Sequence, residues 1–183
     1  AGDPGFVSAT DFRIIGTLPN DVADNTVPVV LDIDGDVRPA SGSTIKDMGA
    51  DEYTPLNWDA SLEAVAVALG GCGDSATSIA VVVKNFGLNT ITSLPISVSI
   101  TGGVTATVNT TAAVSIPVGT TATIPVGTFN TYAGAAGVNF AASIALVGDQ
   151  KTSNDTKSVG PGNYIPAEPV THGMIDTLCA SVD

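Results

Sequence analysis

In the stretch LPISVSIT (94 to 101), Ile96, Val98 and Ile100 alternate with Pro95, Ser97 and Ser99. A period of two puts the three apolar side chains on one face of an extended chain, whereas a helix would scatter them around its axis. This alternation constrains the fold more than any other feature, because related runs recur along the chain. SIAVVVKNF (78 to 86) is a short apolar run closed by Asn85 and Gly87, and SLEAVAVAL (61 to 69) ends at Gly70-Gly71. The latter is the most helix-compatible run, but its valines suit a strand. Further strands are predicted over 104 to 110, 121 to 126, 138 to 147 and 155 to 159, separated by turns such as Thr101-Gly102-Gly103 and Gly134-Ala135-Ala136-Gly137. About seven short strands, spaced at roughly 8 to 12 residues, predict an all-β fold: an immunoglobulin-like antiparallel β-sandwich.

Charge divides the 183 residues unevenly. The whole chain carries 18 acidic and 6 basic side chains for a net charge of -12, yet 44% of it is hydrophobic, and its mean hydropathy is +0.34. An acidic disordered tail would lack that apolar content, so the chain is expected to fold. With six basic residues it cannot neutralise a row of phosphates, which argues against nucleic acid and against anionic lipid surfaces as partners. No stretch approaches the ~18 to 20 apolar residues that cross a bilayer, and the opening AGDPGFV has neither the basic nor the apolar region of a signal peptide. Membrane insertion is not expected. Ten acidic side chains and three basic ones fall within residues 1 to 53, for a net of -7. The composition changes at Tyr53, and the following TPLNW has linker character. The predicted organisation is therefore an acidic capping-like β/loop segment (1 to 53), a linker (54 to 60), a sandwich (61 to 160) and an irregular tail (161 to 183).

Two family resemblances add to this reading. CGDSATSIAVVVKNFGLNTITSLPISVSITG (72 to 102), VGTTATIPVGTFNT (118 to 131) and VNFAASIALVGDQKTSNDTKSV (138 to 159) resemble the CARDB-type adhesion-related repeat of secreted bacterial proteins. The resemblance implies a seven-strand sandwich that serves as a spacer or adhesion module, with VVVKNFG in the second strand and its turn and GDQKTSNDT in the last hairpin. The phrases DPGFV (3 to 7), DFRIIG (11 to 16), DIDGDVRP (32 to 39) and DMGADEY (47 to 53) resemble the C-terminal closing segment of secreted right-handed parallel β-helix proteins. The coils of such a solenoid are missing. The resemblance thus implies either a piece of a longer protein or a segment that folds onto something else.

Candidate chemistry is sparse. Asp32, Asp34 and Asp36 in DIDGD place three carboxylates at alternate positions, a way to gather the hard oxygens that calcium takes. The spacing departs from an EF-hand, because Gly35 falls at loop position 4 and Ser43 at position 12. The competing reading has turn amides donating to these carboxylates, with Arg38 as counter-charge. The loop Asp149-Gln150-Lys151-Thr152-Ser153-Asn154-Asp155 presents the same choice between ligand oxygens and hairpin geometry. Asn109-Thr110-Thr111 and Asn154-Asp155-Thr156 match the N-glycosylation pattern, which short runs of Asn and Thr also produce by chance. His172, the only histidine, has no nucleophile motif or zinc-ligand set around it. Asp51 and Glu52 are adjacent and would face opposite sides of a strand, so they cannot flank one glycosidic bond. Cys72 and Cys179 either form one disulfide, stabilising by up to ~4 to 5 kcal/mol through loop closure, or remain separate, with Cys179 belonging to a neighbouring domain.

The sequence therefore predicts a non-catalytic structural or adhesion module, extracellular or on the cell surface, with no cofactor unless the carboxylates of Asp32, Asp34 and Asp36 hold calcium. Its expected partners are proteins, either neighbouring domains or copies of itself in a bacterial surface protein or fibre. The alternative is a carbohydrate-binding accessory to a larger polysaccharide-acting secreted enzyme, with Trp58, Tyr53, Tyr132 and Tyr164 as the aromatic residues a sugar could stack on.

Overall fold

The computed structural model describes residues 21–40, 43–52 and 56–166. The chain divides into two units between Leu56 and Asn57, within the stretch read as a linker.

The second unit is a β-sandwich of eight strands: β1 Ala60–Val67, β2 Gly70–Cys72, β3 Thr77–Asn85, β4 Ile91–Thr101, β5 Ala106–Ile116, β6 Thr121–Phe129, β7 Ala135–Ile144 and β8 Thr156–Ile165. One sheet has the order β1-β3-β6 and the other β2-β8-β7-β4-β5. All pairings are antiparallel except β2 with β8. The all-β sandwich expected from the alternation is therefore what forms, and no helix among the described residues is long and apolar enough to cross a membrane.

The strand count differs from seven because a further short strand, β2, forms at Gly70–Cys72, just past the glycines that end the 61 to 69 run. β1 pairs with β3 as far as Val67; after Ala68 and Leu69 the chain crosses to the other sheet, where Gly70, Gly71 and Cys72 pair in parallel with Asn163, Tyr164 and Ile165. The glycines permit this crossing. A Cβ at Gly70 would stand 2.8 Å from the Asn163 carbonyl oxygen, and Gly71 has φ +119, a left-handed conformation that disfavours a side chain.

Two other boundaries move. β5 reaches Ile116 rather than Thr110, as a half-exposed strand at the end of its sheet; the weakly apolar Ala112-Ala113-Val114 shows little contrast to reveal it. β8 continues to Ile165, past the predicted end of the sandwich. Its register with β7 shifts on both sides of Val138, and this irregularity takes up Gly160-Pro161, whose proline has no N–H to give to a ladder.

The alternating residues build the core. Ile79, Val81 and Val83 of β3, Leu94, Ile96, Val98 and Ile100 of β4, and Val138 and Phe140 of β7 are each at most 2% exposed. Burying a side chain of this kind contributes about 1.5 to 3 kcal/mol. Phe129 meets Phe140 and Tyr164 edge to face, with ring centroids 5.2 and 5.8 Å apart, a favourable arrangement of ring quadrupoles.

The first unit is held by polar contacts. Its described residues contain one isolated antiparallel bridge, Leu31 with Val37, around a turn. Val30, Ile33, Val37 and Met48 are all exposed.

Candidate functional site

In the first unit, the Asp32-Ile33-Asp34-Gly35-Asp36 turn is organised by Asp32. One of its carboxylate oxygens, Oδ1, accepts from the amides of Asp34 (2.8 Å) and Asp36 (2.7 Å), and Oδ2 accepts from that of Glu52 (3.1 Å). Gly35 supplies the positive φ of +90. Burial pushes the Asp32 carboxyl up, but the amides of Asp36, Glu52, Asp34 and Gly35 outweigh it and hold the group below its ordinary value. Arg38 is turned elsewhere: Nε donates to Glu52 Oε2 at 2.8 Å and Nη1 to the Gly49 carbonyl at 2.9 Å. Glu52 also accepts from the amides of Ala40 and Asp47. The side chains of Arg38 and Glu52 are 8% and 2% exposed. A buried pair satisfied this fully organises the loop, since either partner alone would be a stranded charge. Glu52 is thus committed to structure.

In the second unit, one end of the sandwich gathers residues from four separated stretches. Asn85, fully buried at the end of β3, donates through Nδ2 to the carbonyls of Asn89 (2.9 Å) and Ile116 (2.8 Å) and accepts from the Gly87 amide (3.0 Å). Gly87 lies against the chain entering β1: a Cβ there would stand 2.7 Å from the Asp59 nitrogen and 2.9 Å from the Asn57 oxygen. The amides of Phe86 and Gly87 donate to the Asp59 carbonyl, while Lys84 places its ammonium 4.4 Å from the Phe86 ring centroid, a cation–π contact. The phrase VVVKNFG is in this way a buried polar anchor followed by a close approach of backbones.

The loop between β7 and β8 closes the same end. Gln150 Oε1 accepts from the amides of Asn57 (2.6 Å) and Trp58 (3.2 Å), and its own amide donates to the Trp58 carbonyl. Asp149 accepts from the amides of Ala60 and Lys151, both at 2.8 Å. Asn154 Nδ2 donates to Asp59 Oδ1 at 2.9 Å. Asp59 and Asp155 are buried, at 4% and 7% exposure, and the Oδ1 atoms of Asn154 and Asp155 are buried without a hydrogen-bond partner. Burial first, then the charges of Asp149 and Asp59, push the Asp155 carboxyl up to about 6. Asp59 is raised as well, by burial and by Asp149, against the opposing hydrogen bond from Asn154 and the charge of Lys151. Residue-by-residue reading of the sequence brought out the 149 to 155 loop but missed Asp59, some ninety residues away; no local signal links the two.

The aromatic residues do not assemble into one platform. Tyr164 is a core residue, with its ring against Phe129 and its hydroxyl donating to the Ala68 carbonyl. Trp58 packs against the core near Gly148, at the end of β3 where Asn57 meets Asn89. Tyr132 lies by the opposite end of β3, where the amide of Asp74 donates to the Thr131 hydroxyl. Tyr53, His172 and Cys179 lie outside the described residues. Cys72 is disulfide-bonded rather than a free thiol.

The outer face of the larger sheet carries short polar side chains. Register aligns Asn109, Ser97, Ser143 and Thr156 in one row across β5, β4, β7 and β8, and Thr107, Ser99, Ala141 and Ser158 in the next. Neither row contains a charge. A shallow groove of about 380 Å³ runs over this face, lined among others by Pro95, Ser97, Asn109, Thr111 and Ser143. Compared with known proteins, the chain matches no family model and no curated protein.

Proposed function

We propose that the chain is a non-catalytic structural or adhesion module of an extracellular or cell-surface protein, one that associates through its sheets with neighbouring domains or with further copies of itself. The observation that carries this reading is β5. It is an eleven-residue strand without a charged side chain, ATVNTTAAVSI, at the end of the five-stranded sheet. Soluble proteins usually protect such an edge with Lys, Pro, a bulge or a covering element, because its free amides and carbonyls invite another strand. The uncharged rows beside it remove the repulsion that would keep copies apart. The exposed Val30, Ile33, Val37 and Met48 of the first unit support the same reading, as apolar surface available to a neighbouring domain. The resemblances to an adhesion-related repeat and to a solenoid-closing segment point the same way.

Light scattering over a range of concentrations, with electron microscopy of the concentrated sample, tests the proposal. Mass should rise with concentration, or filaments should form, and the double variant Asn109→Lys/Thr111→Lys should remain monomeric. A wild-type chain that stays monomeric at millimolar concentration, or a variant that assembles equally well, refutes it.

The groove of hydroxyl and amide groups on the outer face favours one second reading, a carbohydrate-binding accessory role. Its weakness is the dispersal of the aromatic residues, since sugar rings ordinarily stack on them. Binding on a glycan array that is lost in Asn109→Ala/Ser143→Ala, two residues that line the groove, without assembly, would favour this second reading over the first.

A further inference from the structure

We propose that a groove beside Cys72 seats the segment of this chain that follows β8, with Met174, Ile175, Leu178 and Val182 against it and a Cys72–Cys179 disulfide as the lock. The argument starts from the bond. Cys72 is disulfide-bonded, and the sequence holds one other cysteine, Cys179. The strand that carries Cys72, β2, lies at the end of the five-stranded sheet and is exposed throughout.

Pairing with Cys179 fixes both ends of the intervening segment at one place. Cys72 is the register partner of Ile165 in the parallel β2–β8 pair, and the Gly73 amide donates to the Ile165 carbonyl at 2.7 Å. The chain therefore leaves β8 about 5 Å from the Cys72 backbone. The disulfide returns Cys179 to a Cα separation of about 4.4 to 6.8 Å from Cys72. Thirteen residue steps separate Pro166 from Cys179, and at about 3.5 Å per residue a loop of that length reaches no further than roughly 23 Å from its closing point. The residues next to Cys179 are held at the rim of the groove.

The groove offers what these residues can cover. It has about 440 Å³ and lies where β1 gives way to β2, lined among others by Ala66, Val67, Ala68, Cys72 and Thr77. Of its lining residues only Asp74 is charged, and that carboxylate is occupied by the Ala76 amide at 3.0 Å. The sequence after β8 matches such a surface. Met174, Ile175, Leu178 and Val182 recur at intervals that predict one side of a helix shared with Cys179, whereas Asp176 and Thr177 fall on the other. Because the bonded cysteine belongs to the apolar side, the disulfide turns that side toward the groove. A second copy would have to supply cysteine and apolar residues from solution, against the high effective concentration of a segment tethered thirteen residues away.

Equilibration of the full chain with glutathione tests this. Two protein thiols and one oxidised glutathione give the disulfide and two reduced glutathione, and the equilibrium ratio measures the effective concentration of Cys179 at Cys72. Ile175→Ser/Leu178→Ser should lower it about tenfold or more, and so should Ala68→Gln, which sets a long polar side chain in the groove. Combining them should cost little more than either alone, because each removes the same contact. Val147→Ser, at an exposed apolar residue outside the groove, should change nothing. Ile175 and Leu178 follow the last strand of the sandwich, so a loss in that variant is not a failure of the sandwich to fold. An effective concentration that both variants leave unchanged overturns the proposal, since the disulfide would then tether a segment that does not seat. So do effects that add in full, or non-reducing electrophoresis that shows Cys72 joined to a second copy.

Discussion

Asn85 offers the sharpest test of how this sandwich is held together. Its side chain is fully buried and makes three hydrogen bonds, two donated by Nδ2 to the carbonyls of Asn89 and Ile116 and one accepted from the Gly87 amide. Replacement by alanine has unequal consequences at the three partners. The Gly87 amide keeps a second acceptor in the Asp59 carbonyl, and Asn89, at the exposed turn, can turn to water. The Ile116 carbonyl lies on a residue with no exposure and is left stranded, at about 1 to 3 kcal/mol, while the two replaceable bonds cost roughly 0.5 to 1 kcal/mol each. The expected loss is therefore about 2 to 5 kcal/mol, a large share of the stability of an ordinary domain. Urea unfolding followed by Trp58 fluorescence reads the second unit alone, since the single tryptophan belongs to it. The midpoint should fall with the slope unchanged. Asn85→Asp should be worse at neutral pH, because it sets a carboxylate against two carbonyl oxygens, and should recover partly in acid as the group regains a proton to donate. A loss below about 1 kcal/mol for Asn85→Ala, the size of an exposed substitution, would refute the claim that this residue anchors the end of the fold.

Two further outcomes follow from the same region and from the cysteines. In calcium-free buffer, Asp155 with its carboxyl near 6 rather than 3.8 favours the protonated folded state; stability should fall as pH rises from about 4 to 6 and then level off, by at most about 3 kcal/mol, and the slope should flatten in Asp155→Asn. Intact mass after alkylation without reduction should show no modified thiol if Cys72 pairs with Cys179, as proposed from the two-cysteine count; two alkylated cysteines would end that pairing.

Much of the fold was legible because burial and backbone periodicity are local properties. Ile96, Val98 and Ile100 announce their common face within five residues, and together with Ile91 and Leu94 they make the buried face of β4. Legibility failed where local contrast was weak or where a partner elsewhere decided the outcome. The end of β5 was hidden in alanines, and the short strand β2 after the 61 to 69 run depends on β8 being available across the sandwich. The Asp-rich turn at Asp32 was readable in outline, as a choice between ligands and turn amides, but the attachment of Arg38 to Glu52 instead of to the turn was not.

The sequence by itself determined the class of the fold, the division between an acidic first segment and an apolar second one, and the turns that glycine and asparagine permit. Each depends on the conformational preference of a residue and its near neighbours. Only the tertiary structure decided that Asp59 joins Asp149 and Asp155, that Asn85 is an internal anchor, and that Tyr164 is core rather than surface. Burial and charge proximity are properties of pairs separated by tens of residues, and no local pattern encodes them. The acidity of the chain thereby acquires two meanings: at Asp32 it satisfies backbone amides, and at the end of the sandwich burial and the neighbouring carboxylates raise Asp59 and Asp155, against the charge of Lys151 at Asp59.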